Sequence, residues 1–301
     1  MDTEEINMKN PYKRHDIFQC KHESHARFNY KVSAYHVLRV KNCFPQGCLF
    51  FKWRCSLLNK GKSCPKKFTH VGKKCFGCKH FYDEKINCHP QLMVSTDEYH
   101  EFLTELEDFE DWLESMAGKF IECSATIRSV KPRLKKIYTP KESSITLNGY
   151  ILGFNGAFIG IEHWDDLCYA LVYADQQERY QFSSGDDFEF RSKIELSNGR
   201  LIFKNLRNIE FNQKSDNKIW TNSKSLVAKG TATLFKEQPL KCLHCESGVL
   251  VDVLDKTNSH WVNRRELYCL ESIQSPDLCY KSDEVELDFL MENDCHVTRC
   301  K

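Results

Sequence analysis

The sequence predicts an α+β protein that is mostly β, with one long amphipathic helix and a cysteine-rich segment toward each end. Three observations carry this. Between residues 119 and 236, apolar and polar side chains alternate with period two, the pattern of strands with one wet face. Residues 95–117 instead repeat apolar side chains at helical spacing. Finally, Cys75-Phe-Gly-Cys78 and Cys242-Leu-His-Cys245 each set two thiols on a tight turn, where both can face one ion.

Sixteen cysteines in 301 residues fit either a secreted disulfide framework or a metalloprotein. The first residues, Met1-Asp-Thr-Glu-Glu-Ile-Asn7, are acidic and lack the apolar core of a signal peptide. No apolar run approaches the ~18 residues of a membrane span. Reduced, metal-bound thiols in a cytoplasmic protein without membrane contact are therefore expected. The net charge of +1 hides an asymmetry. Residues 1–90 carry 18 Lys/Arg against 7 Asp/Glu, while residues 91–118 carry 9 Asp/Glu and no basic side chain. A basic module beside an acidic segment fits phosphate binding, and fits mutual packing of the two equally well.

Residues 1–92 form the first module, with Cys20, Cys43, Cys48, Cys55, Cys64, Cys75, Cys78 and Cys88. Tyr35–Val40 and Leu49–Trp53 read as strands between them. Cys55, Cys64, Cys75 and Cys78 make one four-thiolate set. Cys43, Cys48 and Cys88 with His22, His25, His80 and His89 supply a second, or replacements for the first. Spacing does not separate zinc from an iron–sulfur cluster here, the latter hinted at by Cys64-Pro65.

Residues 93–118 hold the acidic helix. Ser95 and Glu98 stand in capping-box positions, and Gly118 supplies the stop. Tyr99, Phe102, Leu103, Leu106, Phe109, Trp112, Leu113 and Met116 share a face that is expected to be core.

Residues 119–236 read as strands throughout. Ile121, Cys123, Ala125 and Ile127 alternate with polar neighbours. Phe188, Phe190, Ile194 and Leu196 do the same before Asn198-Gly199, a pair suited to a type I′ turn. Glycines 149, 153, 156 and 160 match neither a Walker loop nor a dinucleotide fingerprint and mark bends in strands. With the 186–203 hairpin, this region resembles an OB-fold, a five-stranded Greek-key barrel, which implies a groove for nucleic acid.

Residues 237–280 resemble a zinc ribbon. The first knuckle is Cys242 and Cys245, strands follow at 248–253 and 265–269, and Cys269 and Cys279 complete four thiolates around zinc. Nine residues separate Cys269 from Cys279, more than a ribbon's second knuckle usually has. Residues 281–301 are an acidic tail with Cys295, His296 and Cys300. Two or more zinc ions are expected in all.

A closed four-thiolate shell leaves no position for a reacting water, and neither a Gly-x-Ser-x-Gly elbow nor a His-Glu-x-x-His pair is present, so a non-enzyme is favoured. RNA or single-stranded DNA is the expected partner. Lys66, Lys67, Lys73 and Lys74, with the basic loop Lys131, Arg133, Lys135 and Lys136, would meet phosphates, and Phe154 and Trp164 would stack on bases. The alternatives are an iron–sulfur redox or enzyme-accessory protein and a zinc-stabilised adaptor that docks a protein partner through its acidic helix or tail.

Overall fold

The computed structural model describes residues 7–257 and 261–279; the acidic tail with Cys295, His296 and Cys300 lies outside them. The strands begin with β1 (Asn7–Met8), β2 (Phe18–Gln19), β3 (Lys31–Val32), β4 (Cys48–Cys55), β5 (Phe81–Cys88) and β6 (Gln91–Leu92). They continue with β7 (Ile121–Tyr138), β8 (Ser143–Phe154), β9 (Ala157–Ile159), β10 (Glu162–Trp164) and β11 (Cys168–Val172). The last are β12 (Asp187–Ser197), β13 (Arg200–Gln213), β14 (Thr233–Phe235), β15 (Gly248–Asp255) and β16 (Val262–Cys269). The helices are α1 (Thr96–Met116), α2 (Ala174–Tyr180), α3 (Asn222–Thr231) and α4 (Leu240–His244). The protein is thus mostly β with few helices. None of the described helices is long and apolar enough to cross a membrane.

The described residues divide into two compact units, one of residues 13–101 and one of residues 7–12 with 102–257 and 261–279. In the smaller unit, β2 pairs with β3 and β6. Beside this, β4 and β5 form a hairpin whose rungs run from Cys48 opposite Cys88 to Cys55 opposite Phe81. Residues 35–40, expected as a strand, instead make a π-helical turn over His36–Val40, closed by Lys41 N–H to His36 O at 2.9 Å. The reason is burial. His36 and Val37 are adjacent and both buried, which a strand with one wet face does not permit.

Ser95 and Glu98 form the expected capping box of α1: Ser95 Oγ accepts from Glu98 N–H at 3.2 Å, and the Glu98 carboxylate accepts from Ser95 N–H at 2.8 Å. From Phe102 onward the helix buries Phe102, Leu106, Phe109 and Met116. Around the 18-residue β7 runs a large mixed sheet. Five of its strands pair in a cycle: β7 with β12, β12 with β13, β13 with β11 in parallel, β11 with β8, and β8 back to β7. Gly149 is required where β8 meets β11, because a Cβ there would lie 2.2 Å from Val172 O and φ is +99°. The turn between β12 and β13 has positive φ at both Asn198 and Gly199, as a type I′ hairpin demands.

Three expectations fail here for identifiable reasons. Residues 174–180, read as strand, form α2, with Gln176 Oε1 accepting from Tyr173 N–H at its start. Residues 222–231 form α3, capped by Thr221 Oγ1 accepting from Lys224 N–H at 3.2 Å. The expected basic loop at 131–136 is strand throughout, with a register shift between Pro132 and Leu134 that absorbs the proline. Finally, β14, β16 and β15 form an antiparallel set, and β15 also pairs in parallel with β7 over residues 135–138. The 237–280 segment therefore shares one sheet with the 119–236 region.

Candidate functional site

The C-terminal cysteines come together. Pro239 O accepts from Cys242 N–H at 3.0 Å and Lys241 O from Cys245 N–H at 3.1 Å, so α4 is a single turn that presents the knuckle. Cys269 ends β16, opposite Gly248 at the start of β15. A short turn over Pro276–Leu278, capped by Ser275, brings Cys279 back. The result is one pocket lined by Cys242, Cys245, Cys269 and Cys279, floored by Phe235 and Ile273. Burial, then the neighbouring thiols of Cys245, Cys279 and Cys269, pushes the Cys242 thiol above its ordinary range. An all-sulfur donor set suits zinc or another thiophilic ion. Among the described residues, no three His, Cys, Asp or Glu side chains are placed closely enough to hold an ion as they stand.

Lys131 corrects one expectation and supplies a residue that motif reading missed. It does not face solvent phosphate. Its Nζ donates to the carbonyls of Leu243 at 3.1 Å, Cys245 at 2.8 Å and Gly248 at 3.1 Å, the loop that carries the knuckle. Burial pulls this ammonium down to about 8, with the nearby Cys245 thiol opposing the shift. A cation held behind a cluster of thiolates offsets their charge and fixes the loop from below. Gly248 tightens the same loop, since a Cβ there would stand 1.7 Å from Cys242 O. Lys131→Ala is expected to destabilise the larger unit by about 2–3 kcal/mol, because three partly buried carbonyls lose a charged donor. Urea unfolding of the two proteins, compared at equal slope, measures the difference.

In the smaller unit, three of the first quartet, Cys55, Cys75 and Cys78, lie at one end of the β4–β5 hairpin. Cys55 is buried at the end of β4. Cys75 and Cys78 share a turn closed by Cys78 N–H to Cys75 O at 3.0 Å, and Phe81, three residues on, is the rung opposite Cys55. Cys64 starts a separate turn, its carbonyl accepting from Lys67 N–H at 2.8 Å. His80 belongs to this end, with its Nδ1 3.3 Å from Ser56 Oγ. His89 is exposed near Pro45. His22, His25 and His36 form a separate buried cluster, with ring centroids 5.4 and 5.1 Å apart.

Of the residues expected to meet nucleic acid, the structure separates two groups. Phe154 is fully buried among Phe188, Phe190 and Phe203. Trp164 is 1% exposed and stacks on Trp112 at 5.6 Å and on Phe109 at 5.8 Å. Both are core and present no face to a base. Lys136 donates to Tyr268 Oη at 2.8 Å, Arg133 lies 4.0 Å from Asp252, and Lys135 is half-buried as the rung partner of Asp252. Lys66, Lys67, Lys73 and Lys74 are all exposed.

Lys73 and Lys74 adjoin an aromatic stripe that was not anticipated. On β4 the side chains alternate, and Leu49, Phe51 and Trp53 stand on the outer face. The other face is covered, with Phe50 against His22 at 4.0 Å and Arg54 paired with Glu84 at 2.6 Å. Phe76, from the Cys75–Cys78 turn, meets Trp53 edge-on at 4.9 Å and Phe81 at 5.2 Å. Phe51 is 55%, Trp53 40% and Phe76 52% exposed. The legible signal was the alternation of Leu49-Phe-Phe-Lys-Trp-Arg54, which sets apolar side chains on both faces of a strand that has only one face to bury.

No family profile, curated protein or solved structure matches this chain.

Proposed function

We propose that this chain is a zinc-stabilised protein that binds RNA or single-stranded DNA on the outer face of the β4–β5 hairpin. One observation carries the reading: three exposed rings, Phe51, Trp53 and Phe76, lie next to the exposed Lys73 and Lys74 in a segment that is strongly basic. Exposed rings are costly to leave in water, and a row of them bordered by ammonium groups suits bases that stack and phosphates that pair. Lys85, the rung partner of Phe51, adds a charge on the same face. Duplex nucleic acid hides the faces of its bases, so single strands fit better.

The rest of the chain serves as scaffold in this reading. We take the five-strand cycle, with its parallel β11–β13 pairing and the α2 helix before β12, as an OB-fold barrel, and β14–β16 with the four-cysteine pocket as a zinc ribbon. Zinc at the thiol clusters is part of the proposal and rests on their all-sulfur donor sets.

The test is fluorescence anisotropy of a labelled oligouridylate of about 15 nucleotides, the upper range of a single-strand site, titrated with the full chain at several salt concentrations. If the four exposed lysines each release a counterion, log K falls against log salt with a slope on the order of −3. Affinity indifferent to salt, or tighter binding to duplex, would sink the reading.

A further inference from the structure

We propose that Cys20, Cys43, Cys48 and Cys88 form a metal centre of their own, a four-thiolate zinc site at the end of the β4–β5 hairpin away from Cys55. Cys48 opens β4, Cys88 closes β5, and the two are ladder partners, so their side chains leave the same face a few ångströms apart. Cys20 lies between Phe18, whose ring meets Phe44 at 5.2 Å, and His22, whose ring meets Phe50 at 4.0 Å, so its stretch of chain runs past Cys43 and Cys48. Cys43 precedes β4 in a tight turn in which Gly47 N–H donates to the Cys43 carbonyl. The electrostatic influence of Cys48 on Cys20, Cys43 and Cys88 agrees with this proximity. Four cysteines from four stretches of chain thus converge on this end of the hairpin, with Cys20 and Cys43 buried.

This centre is distinct from the Cys55, Cys64, Cys75 and Cys78 set. An eight-residue strand at ~3.3 Å per residue separates its end residues by about 23 Å, whereas zinc and sulfur bond at about 2.3 Å, so one ion cannot serve both ends. The hairpin becomes a strut with a metal at each end, and every cysteine of the smaller unit's hairpin and its flanks has a place in one of two quartets. Zinc binding exchanges four thiol protons for one dication and leaves a net charge of −2, which Lys41 beside Cys43 partly offsets. The three buried histidines nearby are not needed to complete the shell.

The experiment is differential alkylation of the full chain, purified under reducing conditions, with and without a strong chelator, read peptide by peptide by mass spectrometry. Cys20, Cys43, Cys48 and Cys88 are expected to be protected as a set and to become reactive together once metal is removed. Equal labelling of these four in both conditions, or recovery of any of them as cystine, overturns the proposal. A native mass measurement supplies the second arm: the Cys48→Ser/Cys88→Ser protein should carry one zinc fewer than the parent, and an unchanged count contradicts the site. Neither readout involves nucleic acid, so failure here is distinguishable from failure of the binding surface above.

Discussion

If the thiol clusters hold zinc as proposed, chelating it is expected to unfold the β4–β5 hairpin and the turns around it while leaving the β12–β13 hairpin protected. The asymmetry follows from the cores. Among the described residues of 13–101, the buried hydrophobic side chains are Ile17, Phe18, Val32, Ala34 and Val37 with Cys20, Cys43 and Cys55. So few apolar contacts do not offset the chain entropy lost on ordering such a segment. Four-thiolate zinc sites contribute an apparent ~10–16 kcal/mol in small fingers, as much as a typical domain's whole stability of ~5–15 kcal/mol. Residues 102–279 instead bury Phe154, Phe182, Phe188, Phe190 and Phe203 against one another. Amide hydrogen exchange with and without chelator measures both regions in one sample. Protection that survives in β4 and β5 after the metal is gone would contradict the account.

The second large effect concerns the aromatic stripe. Trp53→Ala and Phe76→Ala are each expected to weaken single-strand binding by about tenfold to a hundredfold, the ~1–3 kcal/mol of one stacked base. The rings touch at 4.9 Å, so the double variant should lose less than the product of the two. Both rings are about half exposed, and their loss should change thermal stability far less than binding. Anisotropy titrations with the same oligouridylate, paired with thermal melts, separate a binding defect from a folding defect. Unaltered affinity in both variants would remove the stripe from the interface.

What was legible in the sequence was whatever depends on short-range pattern. The capping box of α1, the Asn198-Gly199 turn and the alternation of β12 are all set within a few residues, and all appear as expected. The Cys242-x-x-Cys245 knuckle was legible for the same reason. Cys279, doubtful by spacing, lines the pocket because a turn at Pro276–Leu278 shortens the path from Cys269. Long-range partners were not legible. Lys131 sits in a run of basic residues that looks solvated, and only the pairing of β7 with β15 shows that its ammonium ends among the knuckle's carbonyls. Phe154 and Trp53 illustrate the same limit from opposite sides. Both are aromatic residues in strand-prone sequence, but β8 belongs to a cycle with an interior, and β4 to a two-stranded hairpin with one face uncovered. Alternation identifies the faces of a strand without saying which face another element covers.

The account rests on sulfur-bound metal, and zinc K-edge X-ray absorption of the purified full chain tests it most directly. It predicts a first shell of four sulfur scatterers at about 2.3 Å. A shell dominated by nitrogen or oxygen, or a protein that folds with no bound metal, would contradict it.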